Sequence, residues 1–429
     1  MTGPLPRVLT LMGSGETAPT MAKVHRSLFA RLPPDARAVL LDTPYGFQEN
    51  ADEVTARALE YFARNVGHPM SLASLRRADA DALTLATALA LAREADYLFA
   101  GPGSPSYALG QWRATPVPGL VGDKLREGGI VTFASAAALT VGAHTVPVYE
   151  VYKVGADPFW LEGLDLLAPL GLPVAVIPHY DNAEGGTHDT RFCYLGEARL
   201  AALEARLPAG HFVLGIDSHT ALVLDLDAGT AAVEGVGGVT VRAAGRSRVI
   251  ASGTTLAIDA IPVMAAGLRE GGTVTGAASA PPASGPEAPP STSTARSPLA
   301  TEVHELVARF DDRLAAGELD DAVGALLALD QLLVDWSSDT DGTGGLGDAR
   351  ATYRSCIARL GGAAGTADRT SADARLAPLV DLLVDLRDRA RAERDWRRAD
   401  WIRDALVDAG IEVRDGAEAT TWVDGRVTR

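Results

Sequence analysis

The chain has 429 residues, 47% of them hydrophobic, which is too long for one ordinary core and apolar enough to fill two. Its formal net charge of -16 excludes broad attraction to a phosphate backbone, so any nucleic-acid contact must be local. Two cysteines, Cys193 and Cys356, imply no disulfide framework, and no apolar run approaches the roughly 20 residues of a membrane span. With no leader-like N-terminus either, a soluble, cytoplasmic protein without membrane contact is expected.

Val8–Met12 is the first of a series of short apolar runs that end in turn residues; Ala38–Leu41, Tyr97–Ala100, Ile130–Phe133, Val174–Ile177 and Val213–Ile216 follow. Continuous runs of this length predict strands buried on both faces. Helix-like stretches such as Ala51–Asn65, Ala80–Glu94 and Glu197–Arg206 lie between them, so the expected fold is α/β, with a mostly parallel, doubly wound sheet. Ala221–Leu226 and Ala231–Val241 predict antiparallel edge strands closing the domain over residues 1–270. Residues 271–299 turn to Gly, Ala, Pro, Ser and Thr, which predicts a flexible linker. Helical apolar spacing then returns at Thr301–Ala316, Asp320–Trp336, Ala349–Leu360 and Leu376–Ala409, predicting a small all-α bundle over residues 300–429.

Turn-forming and polar segments follow the strands: Gly13-Ser14-Gly15-Glu16, Asp42–Gly46, Gly101-Pro102-Gly103-Ser104, Ser135, His179 and Asp217. In an open α/β sheet the carboxyl ends of the strands form the binding edge, so these six are expected on one rim. Ser135 sits where strand turns to helix among small residues, the setting of a nucleophile elbow, although Phe133 and Ala137 stand where a G-x-S-x-G pattern has glycine. An ordinary buried serine fits the same spacing. His179 follows a strand and Pro178 and suits a general base, while Asp217 could orient the imidazole as third member or simply cap the next turn. Gly101 and Gly103 allow backbone N–H groups to approach a tetrahedral intermediate. In the loop after His179, Glu184, His188 and Arg191 are candidates for substrate binding, the guanidinium suiting a carboxylate. The His179 loop also permits a metal, but its spacing matches no H-E-x-x-H or C-x-x-C pattern, so neither metal nor cofactor is expected.

Taken together, the pieces Ala100–Ser104, Ala134–Ala138, Ile177–Tyr180 and Gly215–Ser218 resemble the cyanophycinase and aspartyl dipeptidase family of serine peptidases, over about residues 5–255. The resemblance implies a class I glutamine amidotransferase-like fold, Ser135 as nucleophile, His179 as base, and an oxyanion hole from the Gly101–Gly103 turn and the Ala136 backbone. Two departures stand out. Ala137 replaces the usual glycine of the elbow, and Ser218 occupies the position where the acidic triad partner is expected.

Residues 300–425, above all Leu383–Leu406, Gly410–Asp415 and Thr421-Trp422, resemble the C-terminal end of cysteinyl-tRNA synthetases. HIGH-type and KMSKS-type motifs are lacking, so the resemblance implies a module that binds tRNA or a translation partner and not a synthetase. Arg387, Arg391, Arg394 and Arg398 predict one basic stripe on a helix, diluted by Asp388 and Asp395. The expectation is therefore a serine hydrolase, peptidase or amidohydrolase, acting on a small acidic or peptide-like substrate. The competing expectation is a non-catalytic adaptor with a degenerate peptidase domain.

Overall fold

The structure, a computed structural model, describes residues 4–183, 188–270, 297–337, 345–415 and 420–424. Glu184 and most of the expected linker, residues 271–296, lie outside the described residues. The chain divides into two compact units, Met1–Glu302 with Gln331–Gly347, and Val303–Asp330 with Asp348–Arg429.

In the first unit the strands are β1 (Arg7–Met12), β2 (Ala38–Leu41), β3 (Ser71–Ala73), β4 (Tyr97–Ala100), β5 (Gly129–Ala134), β6 (His144–Thr145) and β7 (Leu161–Glu162). They continue as β8 (Val174–Ile177), β9 (Phe212–Ile216), β10 (Thr220–Asp225), β11 (Thr230–Gly235), β12 (Gly238–Ala243), β13 (Arg246–Ala251) and β14 (Thr255–Ala257). All six expected apolar runs are strands, and burial on both faces explains their unbroken character. Leu9, Leu11, Val39, Leu41, Leu98, Val131 and Phe133 pack in one core, while their neighbours Val8, Met12, Leu40, Tyr97, Phe99 and Ile130 pack in another on the opposite face.

The strands form two sheets, not one. An eight-stranded sheet runs β14-β11-β10-β1-β5-β4-β2-β3, parallel from β1 to β3 and antiparallel at the β10 side. A six-stranded sheet runs β13-β12-β9-β8-β6-β7, with β6, β8 and β9 parallel. The run expected as one strand over residues 231–241 is two, β11 and β12, and the chain changes sheet between them. Register sets the rim: Met12 pairs with Ala134 and Ala100 with Phe133 in the first sheet, and Ile177 pairs with Gly215 in the second. Ser135 therefore leaves one sheet, and His179 and Asp217 leave the other.

The second unit is helical, with a β-hairpin that the all-α expectation lacks. Leu346–Ala392 is one long helix, and the stretch expected as a single helix to residue 409 is broken before Trp396–Asp408. Arg394 is left-handed at φ 66°, and the Asp395 side chain caps the new helix by accepting the Arg398 N–H at 3.2 Å. Strands β15 (Ile411–Asp415) and β16 (Thr420–Asp424) pair antiparallel, and Ile411 packs with Val380, Val384, Ile402 and Leu406.

Candidate active site

β5 ends at Ala134, and Ser135 turns the chain directly into the helix Ser135–Leu139 with φ 48°. A left-handed residue other than glycine costs roughly 1–2 kcal/mol, so the turn must be held by its surroundings. Ala136, Ala137 and Ala138 are all buried, and the Ala137 N–H donates to the Gly101 carbonyl at 3.2 Å, fastening the elbow to the glycine turn. The Ala137 methyl that departs from the family pattern is thus accommodated in the packed interior. Ser135 keeps 7% exposure, and its Oγ lies 2.9 Å from His179 Nε2.

The glycine turn is tight for visible reasons. Gly103 has φ 137°, and a Cβ there would fall 2.0 Å from the Pro44 carbonyl oxygen, while one on Gly101 would fall 2.9 Å from Glu16 Oε1. Ser104 closes the turn by donating its N–H to Pro44 at 2.8 Å and capping the helix Pro105–Arg113 through its hydroxyl.

His179 is also left-handed, at φ 47°. Its carbonyl accepts the N–H groups of Asn182 at 3.2 Å and Cys193 at 3.0 Å, and Tyr180 donates its N–H to Ile216 at 3.1 Å, so the imidazole stands on a corner fixed from both sides. The Tyr180 ring covers Gly215, where a Cβ would lie 2.3 Å from ring carbon Cδ2; this is why glycine stands in that turn. Phe192, Cys193 and Tyr194 form a consecutive left-handed run at φ 61°, 56° and 65°, which folds the loop back on itself.

Asp217 does not complete a triad. Its Oδ2 accepts the Gly238 N–H at 2.8 Å, and its own N–H donates to the Gly238 carbonyl at 3.1 Å. Burial pushes its carboxyl up to about 6, the Gly238 amide opposes this, and the nearby Asp181 carboxylate adds to it. Asp181 itself accepts the Ser218 N–H at 2.7 Å, tying the turn after His179 to the turn after β9. Among the described residues no carboxylate hydrogen-bonds to the His179 ring.

Arg191 is likewise not an open guanidinium. It forms a two-point ion pair with Asp189 at 2.9 and 2.9 Å. That pairing, above all, holds the Asp189 carboxyl well below the usual carboxylate range. His188 lies beside Tyr152, with Nε2 3.5 Å from the hydroxyl and the rings stacked.

Sequence reasoning missed the segment Tyr149–Lys153, a π-helical turn whose cluster of two tyrosines and a glutamate was the available signal. Glu150 Oε1 accepts the Ser106 hydroxyl at 2.5 Å, and Ser106 lies 3.0 Å from Ser104 at the end of the glycine turn. Two residues on, Tyr152 meets His188 and Tyr194 of the His179 loop. This turn therefore links the glycine turn to the loop that carries the imidazole.

In the second unit two arginines of the expected basic stripe, Arg387 and Arg391, are engaged with Asp415. Arg387 grips Asp415 at 2.6 and 2.8 Å, Arg391 reaches the same carboxylate at 2.9 Å, and this pairing, mainly with Arg387, holds Asp415 down at about 2. Trp422 donates its indole N–H to Asp381 at 2.7 Å. These bonds pin the hairpin to the long helix, whereas Trp396 and Trp401 stay 58% and 70% exposed.

The first unit thus has the fold of a mixed α/β domain with a serine and a histidine at hydrogen-bond distance on its rim. Comparison with solved structures finds similar chains. A peptidase from an acI-B1 actinobacterium aligns over 60% of this chain and 98% of its own, at 22% identity and a TM-score of 0.48. A peptidase E protein from Listeria monocytogenes EGD-e aligns over 54% of this chain and 100% of its own, at 15% identity and a TM-score of 0.37. No family model matches the sequence. Among curated proteins the chain is similar to cysteine–tRNA ligases: 46% identity over 46 residues with that of Fusobacterium nucleatum, and 46% over 57 residues with that of Micrococcus luteus. The matched segments cover 11% and 12% of this chain, and the chain spans only 10% and 12% of those ligases' length.

Proposed function

We propose that the first unit is a serine hydrolase of the peptidase or amidohydrolase type, working through a Ser135–His179 dyad. The observation that carries this reading is the 2.9 Å approach of Ser135 Oγ to His179 Nε2, with both residues held on left-handed corners. Ser135 Oγ attacks the scissile carbonyl as Nε2 takes its proton, and the backbone N–H groups of Ala136 and the Gly101–Gly103 turn receive the developing oxyanion. The imidazolium then protonates the leaving amine, and water, activated by the same nitrogen, frees the acyl group from Ser135. Nε2 can act as base only with the ring proton on Nδ1, and no carboxylate among the described residues fixes that tautomer, so a dyad of moderate rate is proposed.

The substrate class is a peptide or other amide. Pairing of Arg191 with Asp189 removes the residue that suggested an acidic substrate, so acidity is not part of the proposal. The second unit is proposed to dock tRNA or a translation partner in the cytoplasm. A serine-directed fluorophosphonate is expected to label the unmodified chain at Ser135 and to leave Ser135→Ala unlabelled; an unlabelled native chain overturns the hydrolase reading. The adaptor reading draws support from one observation, the engagement of Asp217 with Gly238 and not with His179.

A further inference from the structure

At the opposite end of the second sheet from the dyad, two imidazoles face one another. His144 opens β6 and pairs in register with Ala175 of β8, and His211 directly precedes β9. Ala175 lies four residues before His179 along β8, about 13 Å at strand rise, so this pair is separate from the proposed catalytic rim. His144 Nε2 stands 3.1 Å from His211 Nδ1, with the ring centroids 4.9 Å apart and the planes at 55°.

Those two distances can be tested against two arrangements. A ring nitrogen sits about 1.1–1.2 Å from its ring centre, so an in-line N–H···N hydrogen bond of this length would set the centroids about 5.4 Å apart. Two nitrogens bound to one ion at about 2.05 Å lie about 2.9 Å apart for a right angle at the metal and about 3.3 Å apart for a tetrahedral one. The observed 3.1 Å falls between these values and corresponds to an angle of about 100°. With both rings aimed at that apex the centroids would be about 4.8 Å apart, close to the 4.9 Å found. Both distances therefore suit two nitrogens that share one ion beside the line that joins them.

The surroundings favour a cation there. The Asp165 carboxylate interacts with the His144 ring, and a negative charge there suits a cation. Arg269 donates to the carbonyls of Gly210 and His211 at 2.8 Å each, which braces the backbone at His211, and the Trp160 ring lies 6.0 Å from the His144 ring. Among the described residues no group of three or more His, Cys, Asp or Glu side chains is arranged to hold a metal ion. The remaining positions would therefore be filled by water.

We infer that His144 and His211 form a two-imidazole site for one divalent transition-metal ion of the Zn²⁺, Ni²⁺ or Cu²⁺ type, whose affinity for imidazole nitrogen exceeds that of Mg²⁺ or Ca²⁺. The ion would tie β6 to the entry of β9 across β8. The test is calorimetric titration of the tag-free, full-length chain with Zn²⁺ alone, followed by Cu²⁺ electron paramagnetic resonance. One equivalent of Zn²⁺ is expected to bind, and the Cu²⁺ spectrum to show coupling to two nitrogens. His144→Ala and His211→Ala should each weaken binding by roughly tenfold or more, and the double variant should lose little beyond the first, because both rings act on one ion. Zn²⁺-induced shifts confined to these two rings in the nuclear magnetic resonance spectrum of the unmodified chain give the same answer should a variant fail to fold. Unchanged Zn²⁺ affinity in the double variant, or shifts at His179 and His188 and not here, would overturn the inference.

Discussion

Replacing Asp217 by Asn separates the two roles that its position permits. The carboxyl is pushed up to about 6 by burial, against 3.8 in the unfolded chain. Folding therefore favours its protonated form, and no penalty exists below about pH 3.8. Between about pH 3.8 and 6 the unfolded chain ionises while the buried carboxyl stays protonated, so stability falls by up to about 3 kcal/mol and levels off once the folded state also ionises above 6. Asparagine resembles the protonated acid in shape and charge, and its side-chain oxygen can accept the Gly238 N–H as Oδ2 does. Asp217→Asn should thus stabilise the first unit by about 2–3 kcal/mol at pH 8, or roughly 4–8 °C in melting temperature for a unit of this size, with no gain near pH 4. Turnover should change less than about threefold, whereas an aspartate that orients a catalytic histidine loses about 10⁴-fold on the same substitution. Thermal melts by circular dichroism from pH 4 to 8.5, with rates on an amide substrate, decide the matter. A pH-independent melting shift, or a rate loss beyond 10³-fold, would refute this placement of Asp217.

Gly215→Ala drives a methyl to within 2.3 Å of the Tyr180 ring, one residue from His179. It should cost about 1–3 kcal/mol by overpacking and lower kcat more than it raises KM, because the displaced corner carries the imidazole; equal melting and equal kcat would contradict this account. For the second unit, a full-length chain that docks tRNA should give a mobility shift that weakens as salt rises. Trp401→Ala and Trp396→Ala should weaken it about fivefold or more if these exposed rings stack on bases, and absence of any shift at low salt would remove the tRNA proposal.

The strands were legible because each is a closed apolar run, and the serine elbow and the Pro-His corner were legible because they follow such runs directly. Which sheet a strand joins was not: Val174–Ile177 and Phe212–Ile216 are as apolar as the runs of the first sheet, and only tertiary pairing separates them. Asp217 misled for a related reason. The antiparallel ladder of β9 with β12 continues one residue past the strand, and the carboxylate takes the next amide in line. Arg191 misled because Phe192, Cys193 and Tyr194 are not residues that announce a left-handed turn. That turn returns the chain so that the Arg191 N–H and the Glu197 N–H both meet Asp189, whose carboxylate also takes the guanidinium. The pairing of Arg387 and Arg391 was not legible because their acceptor, Asp415, lies on a hairpin that helical spacing does not reveal.

The two readings of the first unit can be weighed by backbone energy. Ser135 and His179 each occupy a left-handed conformation at roughly 1–2 kcal/mol, held by hydrogen bonds beside them: Ala137 N–H to the Gly101 carbonyl, Tyr180 N–H to the Ile216 carbonyl, and Cys193 N–H to the His179 carbonyl. Glycine at either position would make the same corner without that cost. Packing does not demand the side chains, since the serine sits among alanines and the imidazole is only half-buried. What the hydroxyl and the ring provide that glycine would not is their 2.9 Å contact at the meeting of two sheets. A pair of strained corners whose distinguishing product is a hydroxyl aimed at an imidazole fits a nucleophile and its base better than a ligand-binding rim, for which other polar residues on unstrained backbone would serve.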